Sequence, residues 1–340
     1  MRFLYYLMLI AFTAGLLLPR SARAAEIEFI GPYVGPHDYA ASNAIFETLQ
    51  NPVDLACRYK LSGPIEPGDL ERLQHALESG STGAPAILCL DSKGGSFAEA
   101  VRIAEYIDRR FVTMVDKDQS CLSACAIIFM SGGYSDVGKQ AYRILRPGAQ
   151  LGFHAPSITL PDTTYSKETA EQVYGTALAD LTRALRGFAT VKPGDQSREP
   201  ILPVSLLIEM LLTPPDKMMM VETVNQVARW EIELAIQRPE IDPSQGLFLL
   251  CYNAVHWAVG EDAPAYTVEA LQEFVPKNTG GSWHLQLYPE GDTTEDCYPV
   301  PEKNSGVRYD SGFTNRWNRR YTSRSHYMLL PGPTRLDSLK

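Results

Sequence analysis

The stretch QSCLSACA, residues 119–126, sets Ser123 two residues after Cys121 and two before Cys125, with small residues around it. Acyl transfer requires a nucleophile with little steric cover, a base within reach and two backbone N–H groups to hold an oxyanion. Ser123 lies where an apolar strand pattern, FVTMVD, gives way to a small-residue helical pattern. His154 closes a later strand pattern within RILRPGAQLGFHAPS, and Gly94-Gly95 follows a third, APAILCLDS. Glycines bring backbone N–H groups against a substrate where a side chain would obstruct. Each residue also has a plainer use: Ser123 as a helix cap, His154 as a hydrogen-bonded core histidine, the glycine pair as a turn.

The elements that must position these residues follow from hydrophobic periodicity. The run 53–65 alternates as a strand, and PGDLERLQHALESG has Leu70, Leu73 and Leu77 at helical spacing. APAILCLDS is a short continuous apolar run, as expected of a strand buried on both faces. A glycine turn then opens an amphipathic helix carrying Ala100, Ile103, Ala104 and Ile107. Strand, turn and helix repeat three times, which implies crossover units with sheet stacked on helix and function gathered at the turns after the strands. The pattern predicts a long helix over 165–189, a second in VSLLIEMLLT stopped by Pro214-Pro215, and a third in VETVNQVARWEIELA. After Pro239 the texture changes to scattered Pro, Gly, aromatics and short strand-like pieces such as SWHLQLYP.

The N-terminus reads as a leader. An apolar run from Phe3 to Leu18 follows Arg2, and Ala22-Arg23-Ala24 forms a small-residue cleavage pattern. The run is shorter than the ~20 residues of a membrane-spanning helix, so 1–24 is expected to be a signal peptide cleaved after Ala24, with no membrane span left and the mature protein in the periplasm or secreted. Cleavage removes three arginines and no acids, taking the formal charge from −9 to −12. That argues against nucleic acid as the main partner. Residues 303–340 run the other way, with basic residues and aromatics interleaved in RWNRRYTSR. The six cysteines, Cys57, Cys89, Cys121, Cys125, Cys251 and Cys297, lie beyond the leader. An even count in an oxidising compartment permits three disulfides. Cys121 and Cys125 either bridge to each other, bracing the serine turn, or are small buried hydrophobes, or pair elsewhere. A Cys251–Cys297 bridge would staple the C-terminal part. Cys57 and Cys89 fall on adjacent predicted strands and read as core. The spacing shows no metal-ligand pattern, and no metal or cofactor is expected.

Three pieces, DSKGG (91–95), CLSACAIIFMSGG (121–133) and LGFHAP (151–156), resemble the Clp-type serine peptidase family within the broader Clp/crotonase fold. The resemblance covers roughly residues 53–235 and is closer to exported, Clp-like proteins with a Cys-x-Ser-Ala-Cys setting. It implies an α/β fold, a Clp/crotonase-like superhelix of repeated β-β-α units over 53–238; the Gly/Pro turns before it read as an arm (25–52), and the changed texture after it as a small α+β accessory region (239–340). It implies Ser123 as nucleophile, His154 as general base, the N–H groups of Gly95 and Ala124 as oxyanion hole with Gly94 in the substrate turn, and Asp216, in PPDKMMMVET, as the residue that orients the imidazole. It also implies a homo-oligomer with the 165–189 helix at the contacts. Lys93 stands where the family has proline, and Tyr134 where an arginine would follow the second glycine pair.

Three functions compete at this point. One is an exported serine peptidase acting on unfolded or short peptides, without the ATPase partner that export denies it. Another is a non-catalytic binding or scaffold protein on the same fold. The third is a serine hydrolase of Ser–Lys type, with Lys167 in place of His154.

Overall fold

The computed structural model describes residues 24–30, 53, 55–79, 86–108, 110–135, 139–157, 164, 166–190, 200–241, 243–258, 260–266, 277–279, 282–287, 295–297 and 326–339. The leader expected over 1–24 lies outside them except for Ala24. The elements of the first half are β1 (Glu26–Phe29), β2 (Tyr59–Ser62), α1 (Asp69–Ser79), β3 (Ala86–Asp91), α2 (Phe97–Ile107), β4 (Phe111–Val115), β5 (Ser120–Leu122) and α3 (Ala124–Met130). Then come β6 (Gly133–Ser135), β7 (Lys139–Ala141), β8 (Arg143–Leu145), β9 (Gln150–Phe153), α4 (Lys167–Ala189), α5 (Val204–Leu212), β10 (Met219–Met220), α6 (Val224–Arg229), β11 (Glu233–Leu234) and α7 (Pro243–Ala258). Three short strands, β12 (Lys277–Thr279), β13 (Ser282–Leu287) and β14 (Glu295–Cys297), form a sheet of their own.

The protein is mixed α/β. A large sheet has the order β1-β2-β3-β4-β8-β11, parallel throughout except for the antiparallel edge strand β1. A smaller sheet has the order β10-β9-β5, with β5 and β9 parallel. Isolated parallel bridges, Ile65↔Gly95 and Ser92↔Cys121, extend this second layer towards the start of the chain. A unit therefore recurs: a strand of the large sheet, a short strand or bridge in the second layer, then a helix. It runs through β2, Ile65 and α1; through β3, Ser92–Gly95 and α2; and through β4, β5 and α3.

Period-two alternation sorts the side chains of the large sheet. Leu88, Leu90, Phe111 and Val115 face the main core under the helices, whereas Ile87, Cys89, Val112 and Met114 pack on the other face with Leu55, Ile144 and Ala235. Helix α2 buries Ala100, Ile103, Ala104 and Ile107 as its spacing predicts, and Ser96 caps it by accepting the Glu99 N–H. All seven residues of α3 are buried.

Four expectations meet a different structure. The apparent single strand before His154 is two strands, β8 and β9, one in each sheet. The helix expected in VETVNQVARWEIELA stops at Trp230, Glu231 adopts a φ of 55°, and the chain passes into β11. Part of the expected arm, β1, is a sheet edge. The largest difference lies after 240, where α7 forms and places Phe248, Leu250, Cys251, Ala254 and Trp257 in the main core. Residues 327 and 328 join the same core, so it continues across the expected boundary at 238. The basic, aromatic stretch RWNRRYTSR lies outside the described residues.

Among the described residues both partners are seen for two disulfides, Cys57–Cys89 (Cα–Cα 5.5 Å) and Cys121–Cys125 (Cα–Cα 5.1 Å). The first corrects the reading of Cys57 and Cys89 as simple core cysteines. Adjacent parallel chains bring their Cα atoms into bridging range. Cys251 is also disulfide-bonded; the side chain of Cys297, its expected partner, is outside the described residues.

Candidate functional site

Ser123 connects β5 to α3 and carries φ 56°, ψ −124°. That combination is costly for a residue with a Cβ and persists only where the surroundings over-determine it. They do so here. The Leu122 N–H donates to the Ser92 carbonyl (3.0 Å), the Ser123 N–H to the Gly152 carbonyl (3.0 Å), and the Ala126 N–H to the Ser123 carbonyl (2.9 Å). Ser123 occupies the N-cap position, yet its hydroxyl makes no capping bond. The plain reading of Ser123 as a helix cap therefore has no hydrogen bond behind it.

Gly94 is pressed against this turn. A Cβ built on it would stand 2.7 Å from the Ser123 Cβ and 2.9 Å from the Leu122 carbonyl oxygen, and its φ of 103° belongs to glycine. The Gly94 N–H donates to Ser92 Oγ (3.1 Å) and the Gly94 carbonyl accepts from the Ile65 N–H (2.9 Å). The Ser96 N–H donates to the Ile65 carbonyl, which completes the bridge around Gly95 without using the Gly95 N–H. Among the described residues the N–H groups of Gly95 and Ala124 have no backbone acceptor.

Helix α3 is held from its far end as well. The buried guanidinium of Arg143, on β8, donates to the carbonyls of Met130, the last residue of α3, and of Ile201. A cation at a helix C-terminus opposes the helix dipole favourably. Phe153 packs edge-on against the buried Trp230, which fixes the strand leading to His154.

His154 is half-buried just beyond β9, and its Nδ1 lies 2.8 Å from the Ala155 carbonyl oxygen. A carbonyl only accepts, so in this contact Nδ1 carries the proton and Nε2 is left as the acceptor, the tautomer a general base needs. The Ala155 N–H donates to the Thr213 carbonyl (2.8 Å), tying the histidine segment to the end of α5. Side-chain identity gave no signal for this orienting carbonyl, since every residue carries one.

The structure thus brings the Ser123 turn, Gly94, Gly95 and the His154 strand together through backbone hydrogen bonds. Among the described residues no hydrogen bond joins the Ser123 hydroxyl to His154. Asp216 stands on the turn before β10, the strand antiparallel to β9, but its side chain is 78 % exposed and its near partner is Lys217, 3.9 Å away. Lys167 opens α4, 82 % exposed, with its Nζ 3.7 Å from Glu171. Lys93 is exposed. Among the described residues no cluster of His, Cys, Asp or Glu is arranged to hold a metal ion, and no helix is long and apolar enough to cross a membrane.

Neither protein-family models nor curated proteins yield a match to the chain.

Proposed function

We propose that the chain is an exported serine hydrolase of the Clp peptidase type, acting on unfolded or short peptides without ATP. The observation that carries this reading is the strained Ser123 backbone at a strand-to-helix turn, with a hydroxyl that caps nothing. The recurring strand, short strand and helix unit supports the Clp/crotonase superhelix. The disulfides suit an oxidising compartment such as the periplasm.

In this mechanism Ser123 Oγ attacks the scissile carbonyl carbon and its proton passes to His154 Nε2. The carbonyl oxygen, now an oxyanion, takes the N–H groups of Gly95 and Ala124. His154 returns the proton to the leaving amine as the C–N bond breaks. Water, deprotonated by His154, then attacks the acyl carbon, and His154 returns that proton to Ser123 Oγ as the ester C–O bond breaks. Asp216 sits in solvent in the resting protein, so the Ala155 carbonyl carries the task of orienting the imidazole. The apolar surface along α4, with Val173, Tyr174 and Leu178 exposed, supports self-association through that helix.

The test is fluorophosphonate labelling of the mature, oxidised protein. Label on Ser123 in the parent, absent from Ser123→Ala and His154→Ala, supports the proposal; an unlabelled parent sinks it. A non-catalytic scaffold predicts no label and is favoured by one observation, the missing Ser123–His154 hydrogen bond. The Ser–Lys alternative requires a desolvated, neutral lysine, whereas Lys167 is solvated and ion-paired.

A further inference from the structure

Cys121 and Cys125 bracket Ser123, and both are fully buried. A serine at φ 56°, ψ −124° gains free energy by rotating back to ordinary backbone, and any such rotation moves residue 121 relative to residue 125. The hydrogen bonds that hold the turn can exchange with water. The covalent bridge cannot, and it sets the two Cα atoms 5.1 Å apart.

We infer that the Cys121–Cys125 disulfide is a positioning element that holds Ser123 in its reactive backbone conformation, so that the serine becomes competent only after this pair is oxidised. The inference rests on the reading of Ser123 as nucleophile. In the oxidation the two thiols give two protons and two electrons to the disulfide of an exchange partner. The Cys121–Cys125 S–S bond forms, the partner's S–S bond breaks, and the partner leaves as a dithiol. Because both sulfurs are buried once the core has closed, the step belongs to folding and is not reversed in the folded protein. The Cys57–Cys89 bridge lies on the opposite face of the large sheet, among Leu55, Ile87 and Val112, and serves as an internal control.

The experiment compares the parent with C121A/C125A and with C57A/C89A. It reads amide hydrogen exchange in the peptide 119–130 and the rate of fluorophosphonate labelling. In C121A/C125A, exchange over 122–126 should rise about tenfold or more while exchange in β2, β3 and β4 is unchanged. Labelling should fall by a similar factor, whereas C57A/C89A should label within about threefold of the parent below its melting temperature. Should the alanine pair not fold, C121V/C125A restores volume and repeats the comparison. Exchange at parental level in the folded variant, or labelling at the parental rate, overturns the inference. If the parent takes up no label, the hydrolase reading fails, and the exchange measurement alone decides whether the bridge holds the turn.

Discussion

Ser123 is held by contacts that tolerate no added atom. A Gly94→Ala substitution puts a methyl group 2.7 Å from the Ser123 Cβ, at a φ of 103°. We expect it to cost about 1–3 kcal/mol from backbone strain alone, read as a lower melting temperature, and to abolish labelling of Ser123. At Gly95 the added carbon runs into the Ile65 carbonyl oxygen, so Gly95→Ala should also break the Ile65 bridge. Asp216→Asn should change the labelling rate by less than about tenfold, because a solvated carboxylate interacts weakly with anything across water; a much larger loss would place Asp216 in the working site. The contrast shows what the sequence made legible. Ser123, Gly94 and His154 sit at strand ends, and the strand pairing sets Gly94 against Ser123 and the Ser123 N–H on the carbonyl of Gly152, two residues before His154. The group in contact with the His154 ring was not legible, because it is a main-chain carbonyl.

At the level of elements, α1 is tied to α2 by one buried carboxylate. Glu99 Oε1 accepts the Leu70 N–H (2.8 Å) in the first turn of α1, while Oε2 accepts from Arg102 (2.7 Å), which also pairs with Glu71. Glu99→Ala leaves a buried helix N–H unpaired and should cost about 2–4 kcal/mol by denaturant unfolding. The two bridges should rank oppositely in stability and in activity. By loop-closure entropy the bridge spanning 32 residues contributes about 4 kcal/mol and the one spanning 4 about 2. C57A/C89A should therefore lower the melting temperature more than C121A/C125A does, although the latter should label at least about tenfold more slowly. Elements with clean periodicity, such as α2 and α4, were readable in advance. The split of one apparent strand into β8 and β9 does carry a signal, the turn Arg146-Pro147-Gly148-Ala149, where the Ala149 N–H donates to the Arg146 carbonyl and Gly148 has φ 85°; the sequence does not say that the strands on either side of it join different sheets. Helix α7 was hidden by Pro243, Gly246 and its many aromatics, which lower local propensity; tertiary burial of Phe248 and Trp257 outweighs that.

For the whole molecule, self-association and the closing of the C-terminal end are the testable matters. On the proposed self-association through α4, Tyr174→Glu with Leu178→Glu should shift the mass measured by light scattering to that of a single chain, with the fold retained, because both side chains are exposed; a parent that already has the mass of one chain overturns that proposal. At the other end of the chain, Gly332 and Thr334 accept the N–H groups of Asn225 and Val224, and the Leu336 N–H donates to the Glu222 carbonyl. Asn253 donates to the carbonyls of Met328 and Leu330, while Asn225 joins Trp257 to Ala263. The Arg335 guanidinium hydrogen-bonds Asp337 and holds its carboxyl below the ordinary range; Arg335 also pairs with Glu222. A depressed carboxyl stabilises the fold fully above its unfolded pKa of about 4, and the contribution is lost as pH falls through the lower folded value. Amide protection over 222–226 should accordingly be flat at neutral pH and weaken only in acid. Truncation before His326 should expose the apolar side of α7 and reduce the yield of folded protein. The C-terminal fastenings of α6 and α7 thus lie 75 residues or more further along the chain than the groups they hold. A chain emerging N-terminus first must leave the side of its core that Tyr327 and Met328 cover open to solvent, and to any chaperone, until those residues have emerged.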